Sequence, residues 1–136
     1  MAGLITMPDK NILIDSDVLI DFIHAVDQAK STLQDLEKDY TFNVSVITRF
    51  ELLVGCKNKT EVRTLLNFLM KFELLHLNTA ISEESVNLFD KYRLSHGVLI
   101  PDTIIAATAI TYEIPLLTKN QKDFRFIENL NLLSYK

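Results

Sequence analysis

The chain predicts an α/β protein, a three-layer α/β/α arrangement around a mainly parallel central sheet. Three observations predict it. Short apolar and β-branched runs without polar alternation read as strands buried on both faces. These runs alternate with segments whose apolar residues recur at helical spacing. Gly and Pro are scarce, three of each, which argues against long linkers. The alternation runs through residues 1–136 without repeats or low-complexity sequence, so a single domain is expected.

The elements follow in order. Residues 11–15 (NILID) form the first strand. A helix over about 18–24 follows, with Ser16 or Asp17 as candidate caps. Ser31 or Thr32 opens a second helix with Leu33 and Leu36 on one face. Residues 42–46 form a second strand. Ser45 and Thr48 are both candidate caps of a helix carrying Phe50, Glu51, Leu53 and Val54, which Gly55 ends. Residues 60–70 are helical, with Leu65, Leu66, Leu69 and Met70 as the apolar stripe. A strand over 72–77 precedes a helix starting near Ser82, whose buried side is Val86, Leu88, Phe89 and Tyr92. Gly97 breaks that helix, and Pro101 and Asp102 open the next, where a proline is tolerated and an acid favoured. Residues 114–118 form the last expected strand.

The bulk properties exclude several classes. Hydrophobic residues make up 48% and charged residues 24% of the chain, ordinary values for a globular protein. A formal net charge of −4 argues against broad electrostatic capture of nucleic acid but leaves room for a local basic rim. Lys57, Lys59 and Arg63 form one candidate rim, and Lys119, Lys122 and Arg125 another. Cys56 is the only cysteine, so neither a disulfide framework nor a cysteine zinc site forms within one chain. A small packing role is its expected use, and a reducing, cytoplasmic setting fits. His24, His76 and His96 lack zinc spacing, and of the three His96 stands nearest a site mouth. MAGLITMPDK lacks the basic and long apolar regions of a secretory signal, and no apolar run is long enough to span a membrane.

The chemistry lies in acids beside segments that must be buried. Asp15 ends NILID, Asp17 opens VLIDFI, Glu51 interrupts an apolar helix and Asp102 opens DTIIAATAI. Two like charges about 4 Å apart repel by about 4 kcal/mol at an effective dielectric near 20. A cluster of carboxylates therefore needs a cation, shared protons or water, and hard divalent ions suit an all-oxygen set. In open parallel sheets, sites lie beyond the carboxyl ends of strands at a change of strand order. Asp15, Asp17, Thr118 and Asn120 fall at such ends, and Glu51 and Asp102 reach the same mouth from their helices. A helix cap, a dipole-complementing acid or an exposed helical charge explains each residue separately; a bound cation explains several together. Asp123 is a further acid near the mouth, and Asp21 extends the rim four residues beyond Asp17.

Four segments together resemble the PIN-domain family, in particular the VapC-type toxins of toxin–antitoxin pairs. They are ILIDSDVLIDFI (12–23), SVITRFELLVG (45–55), IPDTIIAATAI (100–110) and LLTKNQKDF (116–124). The resemblance implies an α/β/α nuclease that cleaves RNA with Mg²⁺ or Mn²⁺. It assigns Asp15, Glu51 and Asp102 as acidic metal ligands and Asn120 as the fourth site position, with Asp123 close behind. Ser16 and Thr118 match supporting hydroxyls, and Asp17 a position often held by Asn or Asp. It also implies a small, DNA-binding antitoxin and homodimerisation.

Two other readings use the same acids. Asp15-Ser16-Asp17-Val18 resembles the opening of haloacid-dehalogenase-like phosphatases, but a matching downstream acidic pair is missing. A response-regulator-like domain also sets acids around Mg²⁺, yet lacks its mid-chain phosphoacceptor strand here. A noncatalytic RNA- or protein-binding module keeping the fold is the third alternative.

Overall fold

The computed structural model describes residues 10–135. The reading of the first nine residues as lacking a secretory signal lies outside them. The elements are β1 (Lys10–Ile14), α1 (Ser16–Ile23), α2 (Asp27–Leu36), β2 (Tyr40–Ser45), α3 (Val46–Val54), α4 (Lys59–Leu69), β3 (Glu73–Leu75), α5 (Thr79–His96), α6 (Ile100–Tyr112), β4 (Leu116–Leu117) and β5 (Leu132–Leu133). A short 3₁₀ turn, Gln121–Asp123, links β4 to the C-terminal segment.

The sheet order is β3-β2-β1-β4-β5, and every pairing is parallel. Alternation along the central strands explains the layers. In β1, Leu13 points to one face and packs with α5 and α6 residues such as Ile81, Leu88, Tyr92 and Ile105. Its neighbours Ile12 and Ile14 point to the other face, against Val18, Leu19, Leu33, Leu52, Leu65 and Leu69 from α1 to α4. Leu116 and Leu117 split in the same way. Each such buried side chain contributes about 1.5–3 kcal/mol. On α6, Ala106, Ala107 and Ala109 are buried, and these small side chains let the helix lie close to its neighbours.

Several boundaries differ from expectation for local reasons. Neither Ser16 nor Asp17 caps α1. Asp15 does, with extended backbone and its Oδ1 accepting from the Ser16 N–H at 2.8 Å. α2 begins at Asp27 rather than near Ser31, with an acid in its first turn against the helix dipole. Ser45 caps α3 by accepting from Ile47 N at 2.9 Å, while Thr48 is buried inside the helix. Gly55 does end α3, but in right-handed backbone. Asn58 caps α4 through Glu61 N, and Glu61 reaches back to Lys57 N at 2.8 Å, a reciprocal cap that the sequence pattern left unread. Met70 lies past the end of α4 and is exposed, so the apolar stripe ends at Leu69. Asn78, not Ser82, starts α5, and Val86 is exposed while Leu88 and Tyr92 are buried. β3 and β4 are shorter than expected, and β5 was not anticipated, because two leucines carry no periodicity.

Replacing Asn78 with Ala removes the acceptor for Ile81 N (2.9 Å) at the head of the longest helix. The expected loss is about 1 kcal/mol, measured by chemical denaturation of the purified variant.

Candidate functional site

The chain runs from β1 outward to β2 and β3, then returns to place β4 on the opposite side of β1. The strand order therefore reverses between β1 and β4, and the crevice beyond their carboxyl ends is the expected site. The two strands are in register as Leu13–Leu116 and Ile14–Leu117, and Asp15 N donates to Leu117 O at 2.9 Å. This pairing sets Asp15 beside Thr118, 103 residues apart in sequence.

Asp15 is 5% exposed and Thr118 fully buried. The Thr118 hydroxyl donates to Asp15 Oδ2 at 2.8 Å and accepts from Asn120 N at 3.2 Å. Asp17, half-buried in the first turn of α1, gathers the loop after β4. Its Oδ2 accepts from Lys119 N at 3.1 Å and Asn120 N at 3.2 Å, with Thr118 Oγ1 at 3.3 Å. Its other oxygen, Oδ1, is buried with no hydrogen-bond partner among the described residues. Glu51, in the second turn of α3, is held by the Ser16 hydroxyl, which donates to its Oε1 at 3.0 Å. Asp102 stands in the first turn of α6, behind Pro101. The Asn120 side chain makes no hydrogen bond to the described residues and is exposed.

The electrostatics place these acids in one field. Burial, followed by the charge of Asp17, pushes the Asp15 carboxyl up to about 7. Burial pushes Asp102 up to about 6, with the charges of Asp123, Glu51 and Asp17 adding to it. Burial also raises Asp17, opposed by the N–H groups it collects. Every acid of the expected set thus acts on another through Asp15 or Asp102. Glu51 stands in the second turn of α3 and Asp102 in the first turn of α6; the charge of Glu51 acts on Asp102 and that of Asp102 on Asp15.

The rim contains residues the sequence pattern did not place. Lys119 pairs with Asp21 at 3.1 Å, so this lysine is tied to α1 rather than lying on a free charged face. Tyr135 donates to the same Asp21 at 3.3 Å. The Gln121 amide donates to Thr118 O at 2.7 Å and Leu133 O at 3.1 Å, binding the site loop to β5. The four-residue spacing of Asp17 and Asp21 was the available signal, since it sets both on one helix face; Gln121 and Tyr135 carried none. Cys56 is partly buried in apolar packing, as expected. His96, the last residue of α5, lies in a groove bounded by Asp102 and Asp123.

Do these residues suit a hard cation? The donors are oxygens only. Among the described residues one buried carboxylate oxygen has no partner, and the ion pairs, Lys119–Asp21 and Lys91–Glu128, leave Asp15 and Asp102 unneutralised. These features fit Mg²⁺ or Mn²⁺. Among the described residues no three acidic, histidine or cysteine side chains stand in a closed metal-binding cluster.

Comparison with known proteins agrees with this architecture. The PIN domain model matches residues 12–129. Ribonuclease VapC10 of Mycobacterium tuberculosis is 32% identical over 120 residues, spanning 88% of this chain and 90% of the relative. Among solved structures, a toxin–antitoxin complex from Klebsiella pneumoniae superposes with a TM-score of 0.78 at 30% identity, covering 92% of this chain and 98% of the other. VapBC2 from Rickettsia felis, bound to a DNA fragment from its promoter, gives 0.80 at 26% identity, covering 93% and 99%. The chain belongs to the PIN-domain family and stands among its VapC-type members. That membership replaces the haloacid-dehalogenase and response-regulator readings.

The raised carboxyl groups make a pH prediction. The folded metal-free protein holds the Asp15 proton more tightly than the unfolded chain does, about 7 against 3.8. This contribution to stability is complete below pH 4 and disappears as pH rises through about 7. In chelator, the melting temperature should therefore fall between pH 5 and pH 8. Asp15→Asn should flatten that fall, and Mg²⁺ should oppose it at the upper end. Thermal denaturation across the range checks all three.

Proposed function

We propose that this chain is a divalent-metal-dependent endoribonuclease, the toxin of a toxin–antitoxin pair, acting in the cytoplasm. The observation that carries the reading is that the charges of Glu51 and Asp102 act together with Asp15 near the sheet's switch point, and among the described residues no basic side chain pairs with Asp15 or Asp102. Similarity to VapC ribonucleases supports the choice of RNA.

Asp15, Glu51 and Asp102 would hold the ion. Bound there, Mg²⁺ or Mn²⁺ supplies Lewis acidity toward a phosphodiester and toward water. The protein supplies positioning. Thr118 and the Ser16 N–H fix the two oxygens of Asp15. Ser16 Oγ holds Glu51, which keeps its carboxylate turned to the mouth. Asp17 fixes the loop that presents Asn120, whose free amide donates to a substrate phosphate oxygen. Asp123 lines the same groove as Asp102, and we assign it to take the proton of the attacking water. Attack by water yields 5′-phosphate and 3′-hydroxyl ends.

A partner protein is part of the reading. A groove of about 630 Å³ between α1, α3 and α4 is floored by Ile20, Ile23, Leu52, Leu65 and Phe68 and has Glu51 on its margin. An antitoxin segment seated there would cover the acid pocket, and the Klebsiella and Rickettsia complexes support such a partner, one with DNA-binding capacity. Phe50, Val54, Leu94, Leu99 and Ile100 are large apolar side chains left exposed, which supports a homodimer. Among the described residues no helix is long and apolar enough to cross a membrane.

Purified protein with Mg²⁺ or Mn²⁺ should cleave defined total RNA, and chelator should stop it. Asp15→Asn and Asp102→Asn should each lower the rate about 100-fold or more while circular dichroism stays unchanged. RNA-end mapping reports the product chemistry. Full activity in either folded variant would overturn the assignment of that residue; metal-independent cleavage would overturn the mechanism.

A further inference from the structure

Beyond the acid pocket lies a second feature that the nuclease reading does not use. The His96 ring stacks on Phe126 with centroids 4.2 Å apart and planes 7° apart. Tyr92 meets Phe126 edge-on at 5.2 Å and His96 at 5.7 Å. His96 is exposed, so it forms the outer layer of this aromatic stack. Its Nδ1 lies 2.7 Å from Ser95 Oγ, and its Nε2 has no hydrogen-bond partner among the described residues. A basic residue in the last turn of a helix is explained by the helix dipole. The dipole does not account for an imidazole laid flat on a phenyl ring at the edge of a groove.

That groove holds about 300 Å³, at the lower end of the roughly 300–1,000 Å³ of ligand clefts. His96 and Phe126 line it together with Asp102 and Asp123, the two acids whose charges interact in the carboxylate cluster. The two spaces are therefore contiguous. The connecting loop is held in place. Gly97 takes φ 66°, a left-handed conformation that favours glycine, and accepts a hydrogen bond from Arg93 Nη1 at 3.1 Å. The same Nη1 donates to Val98 O at 3.0 Å. A cleft with fixed walls loses little entropy on binding.

We propose that this groove is a nucleobase subsite, in which the outer face of His96 stacks on a base of the RNA strand flanking the scissile phosphate. The inference rests on the nuclease reading for the identity of the strand. The chemistry favours a base over a phosphate: the acid wall repels an anion, and carboxylates accept hydrogen bonds from exocyclic amino groups. Lys122, also on the groove, is placed to meet the adjoining phosphate. Aromatic stacking tolerates any base, because every base has a π-face.

The chain contains no tryptophan, so His96→Trp introduces a single indole at the proposed stacking position. In chelator, where cleavage is blocked, a single-stranded RNA oligonucleotide should quench its fluorescence saturably, and an oligonucleotide of abasic ribose should not. In the metal-dependent assay, His96→Ala should raise KM about fivefold or more and lower kcat by less, and His96→Phe should recover most of the KM. Equal quenching by abasic and base-bearing strands, or none, overturns the subsite if the wild-type protein cleaves RNA. An unchanged KM for His96→Ala does the same. If the wild-type protein cleaves no RNA with either metal, the nuclease reading fails; base-dependent quenching then still supports the subsite, and its absence overturns both.

Discussion

The hydrogen bond from Thr118 to Asp15 is the contact on which the rest of the site depends. A carboxylate at 5% exposure is costly to bury, and this one is held by a hydroxyl, one backbone N–H and little else. The parallel pairing of β1 with β4 makes the contact available, and burial of Ile14 and Leu117 on the same face secures that pairing. Asp17 then ties the following backbone to α1, so the loop bearing Asn120 and the 3₁₀ turn bearing Asp123 take their places from one strand junction.

The same arrangement explains why the acids are tolerated. Burial and neighbouring carboxylates raise Asp15 and Asp102, and burial raises Asp17; hydrogen bonds from Thr118 and backbone N–H groups offset part of this at Asp15 and Asp17. Packing on both faces of the sheet supplies the opposing stability, with buried aliphatic side chains above and below β1. The oxygen of Asp17 left unpartnered among the described residues is a local sign that the offset is partial.

Much of this was legible before any coordinates. The apolar run NILI and the small-residue helix IIAATAI signal burial on both sides, which is why the parallel sheet and the α6 packing were readable. Asp15, Glu51 and Asp102 stood out because charge interrupted those runs. Helix starts were harder, since Ser, Thr, Asp and Asn compete as caps and tertiary packing decides among them, as at Asp15, Asn58 and Asn78. Side chains acting through space from polar segments left no pattern. Gln121 and Tyr135 belong to this group, as does the pairing of Lys119 with Asp21.

The central strand of the sheet is translated first among the described strands, while its partner β4 comes more than a hundred residues later. Until that distant segment leaves the ribosome, Asp15 has no Thr118 and the crevice has only one bank. A nascent chain therefore carries no finished acid pocket until β4 and the loop after it have emerged.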